Sequence, residues 1–151
     1  MNLKEKIVVQ LPYSMKKGDK VRTETLRMLK AQILEFEKKG ADQKLTEADE
    51  LAILNISVKK RKEAIELYEK GNRQELAEQE KAELKIIFEF MPPQLSESDA
   101  TEIIKKIISE LGATDDKDFP KVISKAMPEL KGKIDGKVVT TIIKNLLSGA
   151  K

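Results

Sequence analysis

The chain contains no cysteine, no histidine and no tryptophan. Those absences remove disulfides, thiolate nucleophiles, imidazole acid–base groups and the common zinc sites together, so neither a metal nor a cofactor is expected. Chemistry is left to carboxylates, lysines, hydroxyls and backbone amides, which lowers the expectation of an enzyme without removing it. Long apolar runs are also missing. The uncharged run Ile7–Leu11 is too short for a signal-peptide core, and no stretch reaches the roughly 18 residues of a membrane span. The expectation is a soluble cytoplasmic protein. An excess of one charge is lacking too: 29 basic residues face 26 acidic ones for a net charge of +3, so any affinity for nucleic acid has to come from local clustering.

What is present is helical periodicity. Val21, Leu29, Ile33 and Phe36 recur at helical spacing from about Lys20 to Lys39, after Gly18 and Asp19 end one segment and cap the next, and before Gly40. Thr46 with Asp49 reads as a capping box ahead of a long helix through Leu51, Leu54, Val58, Ile65 and Tyr68. Gly71 closes it, and Asn72, with Glu75 three residues on, reads as the cap of a fourth helix carrying Leu76, Leu84, Ile87 and Phe88. Pro12 makes the first segment a short or bent helix.

Pro92-Pro93 cannot continue a helix and marks the best boundary in the sequence. Beyond it, Ser96 with Asp99 forms another box, and Ile103, Ile104, Ile107, Ile108 and Leu111 make one apolar face ending at Gly112. Phe119, Val122, Ile123, Ala126 and Met127 mark a sixth helix; Val138, Val139, Ile142, Ile143, Leu146 and Leu147 mark a seventh. No stretch alternates with period two. The expected fold is all-α: an N-terminal helical domain over residues 1–91, a proline-containing joint at 92–95 and a small three-helix tail domain over 96–151.

The segment LKGKIDGKVVTTIIKNLL, Leu130 to Leu147, opens with two glycines and three lysines. A phosphate-binding loop needs four residues between its glycines and Lys followed by Ser or Thr. Here three residues separate Gly132 from Gly136, Val138 follows Lys137, and no strand precedes. Asp135 stands where the cap of the last helix belongs, and its carboxylate would take the amides a phosphate needs. Gly132, Asp135 and Gly136 therefore read as a connection between helices.

The lysines point elsewhere. Helical angles set Lys137, Thr141 and Lys144 opposite Val139, Ile142 and Leu146, and set Lys121 and Lys125 opposite Phe119, Ile123 and Ala126. From Phe119 onward seven lysines face Glu129 and Asp135 alone, a surplus of five. A solvated lysine-rich surface and a polyanion-binding one fit this pattern equally. Phe119 is the sole aromatic residue in that stretch, which disfavours stacking on single strands and leaves phosphate and shape recognition of a folded RNA. A second cluster, Lys59, Lys60, Arg61 and Lys62, reads as a solvated face self-paired at helical spacing, Lys59 with Glu63 and Lys62 with Glu66. EKKGADQK, Glu37 to Lys44, reads the same way, and no carboxylate pair identifies a catalytic residue.

Four stretches carry a resemblance: KKGDKVRTETLRMLKAQI (Lys16 to Ile33), KKRKEAIELYEKGNRQELAEQEKAEL (Lys59 to Leu84), PPQLSESD (Pro92 to Asp99) and MPELKGKIDGKVVTTIIKNLL (Met127 to Leu147). They resemble the YqeY proteins, which share their tail with the GatB component of the glutamyl/aspartyl-tRNA amidotransferase, and the likeness covers nearly the whole chain. It implies an N-terminal helical domain and a three-helix tail. In the amidotransferase the equivalent tail engages the elbow of the tRNA, and catalysis lies outside it. Through that tail such families carry a label of glutamine-dependent carbon-nitrogen ligase activity. The matching motif is Leu130, Lys131, Gly132, Lys133, Asp135, Gly136 and Lys137, with Lys133 where the family commonly has arginine. IVVQLPYSM, Ile7 to Met15, is more apolar than the family's usual first helix.

Three readings of function follow, two of them non-catalytic. One is a non-catalytic accessory module binding tRNA or another folded RNA through Lys121, Lys125, Lys131, Lys133, Lys137 and Lys144, without DNA specificity. The other is an adaptor that docks an amidotransferase or another protein with no direct RNA contact. An amidotransferase-like enzyme is a third, for which the amidase-type serine and lysine signature is missing.

Overall fold

The computed structural model describes residues 1–40 and 44–149, and every regular element among them is helical. The central residues of EKKGADQK, 41–43, lie outside the described residues, as does Lys151 of the lysine-rich tail. The chain forms two compact units, Met1–Met91 and Pro92–Lys151.

The first unit contains α1 (Leu3–Lys17), α2 (Lys20–Lys39), α3 (Glu47–Lys70) and α4 (Gln74–Phe88). Its core is aliphatic: Leu3, Ile7, Leu26, Leu29, Ile33, Ile53, Leu54, Val58 and Ile87 are buried together. Asn2 and Glu5 start α1 with a reciprocal capping box, the Glu5 N–H donating to Asn2 Oδ1 at 2.8 Å and the Asn2 N–H to Glu5 Oε2 at 3.0 Å. Left-handed Gly18 then ends the helix, and the Asp19 carboxylate accepts from the Arg22 N–H at 3.1 Å to begin α2. Between the two helices, buried Thr23 donates its hydroxyl to buried Ser14 at 3.0 Å, and Ser14 donates to the Leu11 carbonyl at 2.9 Å. Each buried hydroxyl is thereby satisfied.

Three sequence expectations change here. The first helix is not short: α1 runs 15 residues with Pro12 in its interior. Pro12 and Val8 are both exposed, so the carbonyl that loses its donor stands on the solvent side, where water replaces the missing N–H. Asn72 does not cap α4. It takes the left-handed conformation, φ 56°, that ends α3: the Arg73 N–H reaches the Tyr68 carbonyl at 2.8 Å and the Asn72 N–H the Glu69 carbonyl at 3.2 Å. Asparagine thus fills the place glycine usually holds, and Arg73 stands at the N-cap of α4 with no side-chain cap bond. Arg61, finally, does not belong to a solvated face.

Arg61 is 7% exposed. Its guanidinium donates through Nη1 to the Ser57 carbonyl at 3.2 Å, and Nη2 meets Met28 Sδ. Nε lies 3.4 Å from Glu83 Oε2 on α4, close enough for attraction but without a hydrogen bond of its own. Burial, and then repulsion from Glu80, raise the Glu83 carboxyl above the usual glutamate value, against the lowering pull of Arg61; Glu24 on α2 adds to the rise. Lys59 with Glu63, one of the expected surface pairs, forms no ion pair among the described residues; separately, Lys70 donates to Glu66 at 2.9 Å.

The second unit contains α5 (Glu97–Leu111), a short 3₁₀ turn (Asp116–Asp118), α6 (Phe119–Leu130) and α7 (Gly136–Leu147). Ser96 caps α5, its hydroxyl accepting from the Asp99 N–H at 3.0 Å, and left-handed Gly112 ends it. Ile104, Ile107, Val122, Ala126, Leu130, Val139, Ile143 and Leu147 interlock as the unit's own core.

Two stability measurements check these readings. Pro12→Ala restores the donor to the Val8 carbonyl and is expected to stabilise the first unit by about 1 to 3 kcal/mol in urea denaturation. For Glu83, the folded carboxyl holds its proton more tightly than the unfolded one, so its contribution to stability is present at low pH and lost as pH rises from about 4 through the raised value. Thermal unfolding across that range should show this downward slope in the wild type and a flatter one in Glu83→Gln, which cannot titrate.

Candidate nucleic-acid interface

The turn between α6 and α7 is pinned from outside itself. Gln94 Nε2 donates to the Gly132 carbonyl at 2.7 Å and to the Pro92 carbonyl at 2.8 Å, and the Leu95 N–H donates to the Lys133 carbonyl at 2.8 Å. The loop's carbonyls are thus turned toward the start of the unit. Gly132 sits at φ 79°, a left-handed conformation that other residues adopt only with strain. Gly136 matters for a different reason, since it is the first residue of α7 and a Cβ there would stand 3.4 Å from Met127 Cε.

Asp135 is the N-cap of α7, its carboxylate accepting from the Lys137 N–H at 2.9 Å while its carbonyl accepts from the Val139 N–H at 3.2 Å. Its own anion occupies the helix N-terminus, which makes this turn a poor phosphate cradle. The backbone of the loop is a scaffold. The chemistry it offers is in the side chains that leave it.

Lys121, Lys125, Lys131, Lys133, Lys137 and Lys144 are all exposed, but they do not form one uniform surface. Lys131, Lys133 and Lys137 surround the α6–α7 turn. Lys144, seven residues beyond Lys137 on the same side of α7, has Nζ 5.9 Å from the ring centre of Phe119. That contact brings the end of α7 beside the start of α6, so the two helices run antiparallel and Lys121 and Lys144 sit at the end opposite the turn. Phe119 is half-buried against the core, beneath a cation, and is not presented as a stacking platform.

Lys125 faces the wrong neighbour for a free phosphate contact: its Nζ lies 3.4 Å from Glu110 Oε2 on α5. Lys121 lies beside Asp118, whose carboxyl is held below the usual aspartate value mainly by the Thr114 N–H, with the Asp115 N–H and the Lys121 charge adding to the effect. The sequence surplus of five counted only the residues from Phe119 onward. Residues 92–118 carry seven acidic side chains against Lys105, Lys106 and Lys117, so charge in this unit is segregated rather than in excess. Lys131, Lys133 and Lys137 make no ion pair among the described residues. Linear counting along the tail could not show that Glu110 reaches Lys125 across 15 positions.

Among the described residues, no group of histidine, cysteine or carboxylate side chains is placed to hold a metal ion, and no helix is long and apolar enough to cross a membrane. Among the described residues, Arg61 of the first unit is buried beside Glu83, which the sequence did not reveal because Arg61 stands within a run of three lysines.

A helical chain of two units, the second a three-helix tail with a pinned basic turn, defines the class, and the comparisons give the family. The model of the Yqey-like proteins matches residues 4–147, and the chain belongs to that family. It is also similar to an uncharacterized protein of Schizosaccharomyces pombe, 35% identical over 95 residues, which span 63% of this chain and 76% of that one.

The two glycines of the turn should respond differently to alanine. Gly132→Ala is expected to cost about 1 to 2 kcal/mol in urea denaturation, from forcing a Cβ into the left-handed region. Gly136→Ala, at a helical position where the Met127 methyl can yield, is expected to be neutral or stabilising by up to about 1 kcal/mol.

Proposed function

We propose that this protein is a non-catalytic accessory module that binds tRNA through its second unit, with the two units folding as separate domains. The observation that carries the reading is the group Lys131, Lys133 and Lys137: exposed, without ion pairs among the described residues, and set on a turn fixed by Gln94 and Leu95. Lys144 extends the group along α7. Lys121 and Lys125 contribute less, since each lies beside an acid.

The mechanism is phosphate neutralisation. Lysine ammonium groups act as point charges that release counterions from a polyanion, and a fixed turn presents them together. With Phe119 packed into the core, bases are not read by stacking, so the ligand is a folded RNA recognised by shape and backbone. The resemblance of the tail to the GatB component of the amidotransferase selects tRNA among folded RNAs. It also connects the module to glutamine-dependent carbon-nitrogen ligase chemistry, carried out by a partner and not by this chain.

A titration of folded tRNA over a salt series tests the proposal. Affinity should fall steeply with salt, and reversing Lys131 and Lys133 together to glutamate should reduce the log–log slope by about 2. A flat salt response, or no binding at low salt, refutes RNA binding, and equal competition by duplex DNA reduces it to generic polyanion affinity.

One observation favours the adaptor reading. Val8, Val9, Tyr13 and Met15 of α1 are 54%, 61%, 60% and 51% exposed, an unusual density of apolar side chains on one outer surface. A partner retained after nuclease treatment and after charge reversal of the tail lysines, but lost on Val9→Glu, would establish that reading instead.

A further inference from the structure

The outer side of α3 carries two of the most exposed large aliphatic residues in the molecule, Ile56 at 54% and Leu67 at 69%. Eleven positions apart, they fall within about 20° of each other around the helix and about 16 Å apart along it. Lys60 and Glu63 lie between them on the same stripe, both exposed, and no ion pair engages either among the described residues. The spacing 56, 60, 63, 67 is four, three, four, that of a two-stranded helical seam with apolar outer layers and a charged centre.

We propose that this stripe is an interface for a second copy of the same chain, with the two α3 helices antiparallel about a two-fold axis between Arg61 and Lys62. Antiparallel pairing about that point sets Ile56 against Leu67 of the other copy and Lys60 against Glu63, and then repeats both layers by symmetry. The patch is self-complementary, as an isologous contact requires. A parallel pair would place Lys60 on Lys60 and Glu63 on Glu63, so the central charges select the orientation. Apart from the stripe, Glu66 is already paired with Lys70, and Arg61 points inward to Glu83. This inference concerns the first unit and does not depend on RNA binding.

Sedimentation equilibrium of the full chain tests it, with circular dichroism to confirm that these surface variants remain folded. The wild type should show a reversible monomer–dimer equilibrium. Leu67→Glu should weaken it at least tenfold. Lys60→Glu and Glu63→Lys should each weaken self-association, whereas an equimolar mixture of the two should form a heterodimer, because every central layer is again a cation facing an anion. Since the chain has no cysteine, cross-linking gives a second readout. Ile56→Cys mixed with Leu67→Cys should form a disulfide-linked pair, and Ile56→Cys alone should not. A wild type that stays monomeric at high protein concentration, a dimer indifferent to the charge changes, or cross-linking of Ile56→Cys to itself would each overturn the proposal.

Discussion

The hydrogen bonds from Gln94 Nε2 to the Gly132 carbonyl and from the Leu95 N–H to the Lys133 carbonyl, at 2.7 and 2.8 Å, hold the basic turn of the second unit in place. They join the residues that follow Pro92-Pro93 to a turn 38 positions away, so the extended entry to the unit and the link between its last two helices become one piece of structure. A loop left to itself would sample many arrangements of its lysines, and ordering them on binding would cost free energy. Here the backbone is ordered already, and the side chains are the part still free to meet a ligand.

The first unit has its own polar constraint. Arg61 is held among Ser57, Met28 and Glu83, in a place where an arginine without a partner would be strongly unfavourable. Removing water from the pair costs each ion hydration, and the raised carboxyl of Glu83 records that cost. The pair ties α3 to α4 at a defined register. By turning Arg61 inward, it also leaves the outer face of α3 to Lys60, Glu63 and the two exposed aliphatic residues.

Much of the helical framework could be read from spacing alone. Asp19, Thr46, Ser96 and Asp135 cap α2, α3, α5 and α7, because a side-chain oxygen three or fewer residues from an unpaired amide acts locally. Local rules failed where two of them competed. Asn72 can cap a helix or take a left-handed turn, and the closing bonds of α3 decided for the turn. Pro12 forbids one hydrogen bond, but the packing of Leu3, Ile7 and Leu11 beside α2 carries the helix through it. Of the candidate interface, the lysines and the cap were legible. Their partners were not, since Glu110 and Asp118 become neighbours of Lys125 and Lys121 only when α5 and the 3₁₀ turn pack against α6.

Sequence alone therefore determined the helices, the caps at Asp19, Thr46, Ser96 and Asp135, the glycine needed at a left-handed turn and the identity of the basic residues, all of which depend on interactions within a few positions. The absence of cysteine and histidine likewise bounded the available chemistry before any fold was known. Tertiary structure decided which charges remain exposed to a ligand: Lys125 meets Glu110, Arg61 is buried against Glu83, and Lys131, Lys133 and Lys137 stay open to solvent. The reason is distance. Electrostatic partnership depends on separation in space, and only packing brings side chains 15 or more positions apart within a few ångströms.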